Sequence, residues 1–432
     1  MSMIPGFDPN EAIDLIRLSY IATALDPQSV NPHLTDRDDP FSDHDIPATT
    51  IYPSPVQPIW PSNWGPLPKR RWHESIVCSV FPEKDDGGQR KLLKKFGVGN
   101  TALVTYNKTK NQYALAFAGT ENLYGALEDM ASVPVPAGQL DRENIRKALQ
   151  PVFASTKLEA DAQDKAVNLL ALIVAGPHRY VPETYSRSEA AQIDLGFRLA
   201  FESLSSKATN GPLLSKTPSL MAVLDLIPEG SDLFISGHSL GGAIATVATA
   251  WFLAGNFPKR MNIKTYTFAA PKSGNEYYAN ALNGALARQG LFYRVYNDLD
   301  SIPQVPYSLE MPGEINNPGM LKAFTGLIPD PSLQQQLDKF LAAVLPSGWS
   351  LNYTHAGVPH ALVGRAPIVF EPDNPQPDWP EKYFPNHDLP LPPFGYDPKH
   401  PHPTPEERAK EIDHLKQWWQ HMPYVYLDLL HE

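Results

Sequence analysis

The stretch that most constrains the fold is FISGHSLGGAIA at residues 234–245, in which glycines enclose a serine. A short apolar strand pattern precedes Ser239, and small residues that suit a helix follow it. Gly237 and Gly241 stand two residues on either side of the serine, where side chains would collide in a sharp strand-to-helix turn. Such a turn strains the backbone of its central residue and exposes the hydroxyl at its tip. The stretch therefore predicts a nucleophile elbow with Ser239 as the nucleophile.

Strand and helix patterns alternate along much of the remaining chain. The predicted helices include residues 9–25, several amphipathic segments within 139–205, among them SEAAQIDLGFRLAFESL, and the segment GNEYYANALNGALARQ. The predicted strands are SIVCSV, TALVTYNK, QYALAFAGT, DLFISG, IKTYTFAAP and LFYRVYN, the second and third paired through a polar turn at 107–112. This alternation predicts a mostly parallel, doubly wound sheet in an α/β protein.

We expect one domain over residues 1–432, with proline-rich coil at 31–75 and 371–405 packed on it. Residues 139–195 form a predicted helical insertion that could act as a lid. A second apolar insertion, GMLKAFTGLIPDPSLQQQLDKFLAAVLPSGW, is expected to add helices to the body.

Composition excludes several classes of function. The chain has 36 Lys and Arg against 47 Asp and Glu, a net charge of −11, which disfavours nucleic acid and purely electrostatic docking on anionic lipid. Cys78 is the single cysteine, so no intrachain disulfide can form. The first residues lack a basic start and a clean apolar stretch, and no apolar run approaches the ~18 residues of a membrane span. These features predict a cytoplasmic protein, or one exported without a cleavable Sec signal, with no transmembrane segment.

Two segments rich in histidine and aspartate, 33–45 and 387–403, raise the question of a metal site. Neither has the helical spacing of a metalloprotease, and paired cysteines are absent from the sequence. We therefore expect solvated coil there, and neither a metal nor a cofactor is predicted.

Residues that could complete a site with the serine lie further along the chain. A nucleophilic serine needs a histidine to accept its proton and a carboxylate to orient that histidine, and α/β-hydrolases use the chain order Ser, Asp, His. Asp298 and Asp300 follow the predicted strand LFYRVYN, and His355, His360 and His421 lie beyond them. His238 adjoins the serine, but a neighbour in an elbow points away from the hydroxyl, so its predicted role is structural.

The motifs resemble those of the class 3 lipases, the fungal-type triacylglycerol lipases and their bacterial and plant relatives. The similar segments are GHSLGGAIA, ALAFAGTEN, IDLGFRLAFESL, YRVYNDLDSIPQVP, YTHAGVPHALVG and HMPYVYLDLL, which together span about residues 75–430. Two positions depart from the family pattern: Ala118 replaces the usual arginine, and Asp194 stands where histidine is common. The resemblance implies an α/β-hydrolase fold with lid-like helical insertions.

The resemblance also assigns roles. Asp300 matches the family's acid when Pro303 and Pro306 are in register, which leaves Asp298 as a capping or supporting residue. The family's base precedes a closing helix, as His421 does before MPYVYLDLL. His355 lies in LNYTHAGV, which predicts a strand, so we favour His421 and keep His355 as the alternative.

For the oxyanion hole we expect the backbone N–H of Leu240, just after the nucleophile, and a second donor from Thr120 at the end of ALAFAGT. These residues predict a serine hydrolase acting on lipid esters, with triacylglycerol as the first substrate and transient contact with a lipid interface. Phospholipase A1, a general carboxylesterase and an acyltransferase are the alternatives, and a non-catalytic scaffold of the same fold is the alternative from another class.

Overall fold

A computed structural model describes residues 3–24, 74–82, 99–107, 110–119, 133–156, 159–174, 176–205, 213–214, 219–300, 302–304, 353–364 and 420–430. Five segments discussed above, two of which overlap the proline-rich coils, lie outside these ranges. They are the proline-rich coil at 31–75 (apart from the strand beginning at Glu74), the coil at 371–405, the two His/Asp-rich segments, and the second apolar insertion.

The described strands form one large and one small sheet. In chain order they are β1 (Glu74–Pro82), β2 (Asn100–Asn107), β3 (Gln112–Phe117), β4 (Pro134–Pro136), β5 (Gln192–Asp194), β6 (Leu213–Leu214), β7 (Asp232–His238), β8 (Asn262–Phe268), β9 (Gly274–Asn275), β10 (Phe292–Asn297), β11 (Tyr353–Thr354) and β12 (Val358–Leu362). The large sheet has eight strands in the order β12-β10-β8-β7-β3-β2-β1-β6, and the small one has the order β11-β9-β5-β4.

The large sheet is parallel through its centre and antiparallel at one side. Strands β12, β10, β8, β7 and β3 pair in parallel, whereas β3, β2, β1 and β6 pair antiparallel. The predicted hairpin is confirmed, since β2 and β3 pair antiparallel with Asn107 opposite Gln112, and Asn111 just before β3 has a φ of 53°. Asparagine tolerates this left-handed conformation better than most residues do.

Helices cover both faces of the sheet. They are α1 (Pro9–Ala24), α2 (Arg142–Thr156), α3 (Ala160–Val174), α4 (Leu195–Ser205), α5 (Leu220–Leu224), α6 (Leu240–Leu253), α7 (Glu276–Ala285) and α8 (Pro423–Leu430). Helices α1 and α8 pack on one face, and α2 to α7 share the core of the other face. A mostly parallel sheet between two helical layers is the predicted α/β-hydrolase arrangement. Among the described helices, none has both the length and the hydropathy to cross a bilayer.

The helix predicted over SEAAQIDLGFRLAFESL is wrong in its first half. Residues Ser188–Ala190 form a 3-10 turn, β5 follows, and α4 starts only at Leu195. The reason is Asp194, whose Oδ1 accepts hydrogen bonds from the backbone N–H groups of Gly196 and Phe197 at 2.8 and 3.2 Å. Such a side chain caps a helix start, so the residues before it are free to pair as a strand.

The described part of the predicted helical insertion is anchored to the body. Leu149 of α2 and Leu170 of α3 are fully buried in the same core as Phe201 of α4. Because their apolar faces pack into this core, α2 and α3 form one wall of the domain in this structure, and their role as a lid stays a prediction.

A buried charged network reinforces that wall. The guanidinium of Arg198 is fully buried and donates to the carbonyls of Pro136 and Gly138, and its Nε lies 2.8 Å from Glu202 Oε1. Tyr180 donates its hydroxyl to the same Glu202 oxygen at 2.7 Å. A buried ion pair is stable only when its remaining hydrogen bonds are made, and here backbone carbonyls accept them.

Replacing Arg198 by alanine is expected to lower the free energy of unfolding by about 3–5 kcal/mol, because the Glu202 carboxylate would stay buried without its partner. Urea unfolding measures this loss. The control is Arg146→Ala, which removes a solvent-exposed ion pair with Asp164 and should cost less than about 1 kcal/mol. Equal stability of the two variants would contradict a stabilising role for the buried network.

The buried carboxyl of Asp194 is expected to make part of the free energy of unfolding depend on pH. Burial raises the pKa of its carboxyl to about 7, although hydrogen bonds from Phe197, Tyr353 and Gly196 lower it. The same carboxyl in the unfolded chain titrates near ~3.9. Between these values the folded protein holds a proton that the unfolded chain releases, so this contribution falls as the pH rises from about 4 to about 7.

Asp194→Asn is expected to remove that slope, which amounts to at most about 1.4 kcal/mol per pH unit. Urea unfolding of both proteins across this pH window measures the difference. Parallel stability curves for the two proteins would show that the Asp194 carboxyl titrates normally in the folded state.

Candidate active site

Ser239 occupies the sharp turn that its glycine neighbours predict. Strand β7 is buried along its length and ends at His238, and α6 begins at Leu240. Between them, Ser239 has a φ of 58° and a ψ of −129°, a conformation that a side chain makes costly. A Cβ atom at Gly237 would lie 2.0 Å from the Gly241 carbonyl oxygen. The turn can therefore form only because both flanking positions are glycine.

The structure brings Ser239 together with His421 and Asp300. The Oγ of Ser239 lies 2.8 Å from Nε2 of His421, and Nδ1 of His421 lies 2.8 Å from Oδ2 of Asp300. The serine and the histidine are 182 residues apart in sequence, and the histidine and the aspartate 121. All three side chains are buried, with 2%, 5% and 1% exposure for Ser239, His421 and Asp300.

The hydrogen bonds to Asp300 fix the protonation pattern of the imidazole. A carboxylate only accepts, so Nδ1 of His421 carries the proton and Nε2 is left to accept one from the serine hydroxyl. Oδ1 of Asp300 accepts from the backbone N–H of Ile302 at 2.9 Å, and Oδ2 also accepts from the hydroxyl of Tyr426 at 2.7 Å. Burial and the neighbouring Asp300 hold the pKa of Tyr426 well above its usual value, so this hydroxyl remains a donor.

The competing candidates lie elsewhere. Asp298 is exposed, and its Oδ1 accepts from the backbone N–H of Gly364 at 2.6 Å. His360 of β12 stacks on Phe7 with ring centroids 3.6 Å apart. Neither residue therefore joins the hydrogen-bonded group around Ser239.

His355 makes no hydrogen bond to the serine among the described residues, and it does not lie in a strand as predicted. It occupies the link between β11 and β12, beside a small cavity that Lys272 and Arg294 also line. Its Nε2 is buried and has no hydrogen-bond partner among the described residues. Burial, and then Arg294 and Lys272, hold the pKa of His355 well below its usual value. Of the three candidate bases, His421 alone contacts Ser239.

The predicted oxyanion-hole residues are partly described. Leu240 is the first residue of α6, so its N–H belongs to the first-turn amides that lack an intrahelical acceptor. Thr120 lies outside the described residues. Gly119, just before it, lies against the elbow, because a Cβ there would be 2.9 Å from the His238 carbonyl oxygen and 3.5 Å from Cβ of Ser239.

Three residues around the site were missed by the sequence reasoning: Asn297, Gln420 and Tyr426. Asn297 ends β10 and donates from Nδ2 to the side-chain and backbone oxygens of Gln420 at 2.6 and 3.0 Å. Its backbone N–H donates to the hydroxyl of Tyr426 at 3.0 Å. The H-x4-Y spacing from His421 already contained the signal for Tyr426, whereas nothing in the sequence pairs Asn297 with Gln420.

Comparison with known proteins agrees with these motifs. The family model described as Lipase (class 3) matches residues 165–310, which contain Ser239 and Asp300. A protein from Fusarium solani named "Secreted mono- and diacylglycerol lipase 1" is 39% identical over 72 residues. The match covers 17% of this chain and 20% of that relative, so the chain spans about a fifth of the relative's length.

Solved lipase structures are similar at lower identity. M37 lipase is 14% identical, with a TM-score of 0.47 and coverage of 88% of this chain and 95% of the other. Lip2 lipase from Yarrowia lipolytica is 15% identical, with a TM-score of 0.37 and coverage of 71% and 79%. At these TM-scores the structural similarity adds nothing to the description of the fold, and the likeness to lipases depends on the match to the family model. Over residues 165–310, the chain is similar to the class 3 lipases, the family that its motifs resemble.

Proposed function

We propose that this protein is a lipase that hydrolyses carboxylic esters of lipids, with Ser239 as nucleophile, His421 as general base and Asp300 as the orienting acid. The observation that supports this proposal most directly is the unbroken chain of 2.8 Å hydrogen bonds from the serine hydroxyl through the imidazole to the carboxylate. A non-catalytic scaffold would have no need of three such buried and mutually oriented groups, and the scaffold alternative is disfavoured for that reason.

In the proposed acylation step, His421 Nε2 removes the hydroxyl proton as Ser239 Oγ attacks the ester carbonyl carbon. The negative charge that develops on the carbonyl oxygen is stabilised by the N–H of Leu240 and, in this proposal, by a donor from Thr120. The imidazolium then gives its proton to the departing alcohol as the C–O bond breaks. Water, activated by the same imidazole, hydrolyses the acyl-serine and restores the free enzyme.

Asp300 acts in this scheme without changing its own protonation. It holds the tautomer in which Nε2 of His421 is a base, and its charge stabilises the imidazolium that forms. The hydrogen bonds from Ile302 and Tyr426 keep the carboxylate oriented through both steps.

Two classes of glyceride, triacylglycerol and the partial glycerides, are the candidate substrates. Triacylglycerol is the first candidate from the sequence motifs, and phospholipid and simple carboxylic esters are the alternatives within the same chemistry. The Fusarium solani relative is named for mono- and diacylglycerol, which supports partial glycerides as a second candidate, and it is named as secreted, which supports export of this chain.

Substitution of the proposed base tests the site. We expect His421→Ala to lose about 10²–10⁴-fold in kcat on a p-nitrophenyl ester, the contribution of a positioned proton acceptor. His355→Ala is the matched control, since it removes a half-buried histidine, whereas the histidine hydrogen-bonded to Ser239 is His421. Loss of activity in the control with activity retained in His421→Ala would make His355 the base.

Covalent labelling tests the enzyme assignment independently. A fluorophosphonate is expected to modify the wild-type protein and to leave Ser239→Ala unmodified, because the label forms a bond to an activated serine oxygen. Intact-mass spectrometry measures the adduct. A wild-type protein that neither reacts nor hydrolyses esters would favour the scaffold.

Substrate choice is measured by comparing kcat/KM on tri-, di- and monoacylglycerol of one acyl chain, with a phospholipid alongside. The triacylglycerol proposal predicts the highest value on the first substrate. A higher value on the diacylglycerol or monoacylglycerol would support the partial-glyceride alternative instead.

A further inference from the structure

Two side chains at the ends of strands contact the segment that bears His421. His238 is the last residue of β7, and Asn297 is the last residue of β10. Only β8 lies between these two strands in the sheet. Because the three strands are parallel, both side chains stand at the carboxyl edge, where the elbow is also found.

Each of the two side chains binds a backbone carbonyl of that segment. Nε2 of His238 lies 2.7 Å from the carbonyl oxygen of His421, and Nδ2 of Asn297 lies 3.0 Å from the carbonyl oxygen of Gln420. The exposed fractions of His238 and Asn297 are 5% and 0%. Two consecutive carbonyls are therefore held by side chains from two separate strands, and we name these two contacts the carbonyl clamp.

The chemistry of the acceptors fixes both donors. A carbonyl oxygen only accepts, so Nε2 of His238 must carry the ring proton. The Asn297 amide is oriented in the same way, because its Oδ1 accepts from the backbone N–H of Leu299 at 3.1 Å and leaves Nδ2 to donate. In both contacts the donor nitrogen therefore faces the base-bearing segment.

His238 also stays neutral beside the base. Its ring centroid lies 4.8 Å from that of His421. Burial, and then the neighbouring His421, hold the pKa of His238 well below its usual value. A neutral ring can donate its hydrogen bond while the His421 imidazole gains a positive charge, whereas a cationic ring at this distance would oppose that charge.

We propose that His238 and Asn297 are positioning residues, which act through the carbonyl clamp to set the backbone from which His421 reaches Ser239. Asp300 holds the imidazole of His421, and the clamp holds the main chain at His421 and at Gln420 just before it. This inference rests on the proposed function, since it explains how the base is held. A displacement of about 1 Å in a catalytic group costs about 10²-fold in rate.

Matched variants of His238 test the clamp. The amide nitrogen of glutamine falls near the position of Nε2, so His238→Gln keeps the donor. His238→Met has the same length without a donor, and His238→Asn has a donor too short to reach. We expect His238→Gln to keep at least about a tenth of the wild-type kcat, and the other two variants to lose about 10²-fold, all with KM within about 2-fold.

Two further measurements separate positioning from folding and from the proposed function. Thermal unfolding shows which variants are folded, and if His238→Met is not, the comparison of Asn with Gln decides. The downfield proton resonance of the His421–Asp300 hydrogen bond reports the ring position without turnover. We expect that resonance in the wild type and His238→Gln, and its loss or shift in the other two variants.

Each outcome has one meaning. The clamp is overturned if folded His238→Met and His238→Asn keep the wild-type kcat or the unshifted resonance, or if His238→Gln is impaired as much as they are. The proposed function is overturned by a wild-type protein that shows neither ester hydrolysis nor labelling of Ser239, and in that case the resonance still tests the clamp.

Discussion

The close approach of α6 to the sheet is the constraint on which the site depends. A Cβ at Gly241 would lie 2.3 Å from the Phe117 carbonyl oxygen, and one at Gly242 would lie 2.6 Å from Cβ of Ala270. With hydrogen atoms at these positions, the helix begins directly against β3 and the end of β8. This close packing holds Ser239 in its strained backbone conformation, which a loosely packed turn would relax. The serine hydroxyl therefore stays at the carboxyl edge of the sheet.

Two groups of buried polar side chains in this protein form hydrogen-bond networks that hold elements together. Around the elbow, Asp300 receives hydrogen bonds from His421, Ile302 and Tyr426. On the other face, Arg198 of α4 donates to the carbonyls of Pro136, at the end of β4, and Gly138, and to that of Val174, the last residue of α3. In a low-dielectric interior an unmade hydrogen bond is expensive, so each network favours one arrangement of its elements strongly.

Part of this architecture could be predicted because local chemistry decides it. Helix α1, the hairpin of β2 and β3, and the elbow at Ser239 each depend on a few neighbouring residues. The boundary at Asp194 could not be predicted in this way. The helical periodicity of the residues around it is real, but Asp194 caps α4 and the residues before it pair with β4, a partner far away in the sequence.

The sequence by itself determined the residue types of the site, their order along the chain and the turn that presents the serine. These features depend only on the spacing of residues and on the glycines around Ser239. Only the tertiary structure decided which histidine meets Ser239. His355 and His421 both follow the acid in sequence, and nothing in the residues around them shows which one contacts the serine. In the folded chain, the segment before α8 returns to the edge of the sheet where β7 and β10 end, and His355 lies beside a small cavity. The contact between His421 and Asp300 joins residues more than a hundred positions apart, and such a contact leaves no local pattern in the sequence.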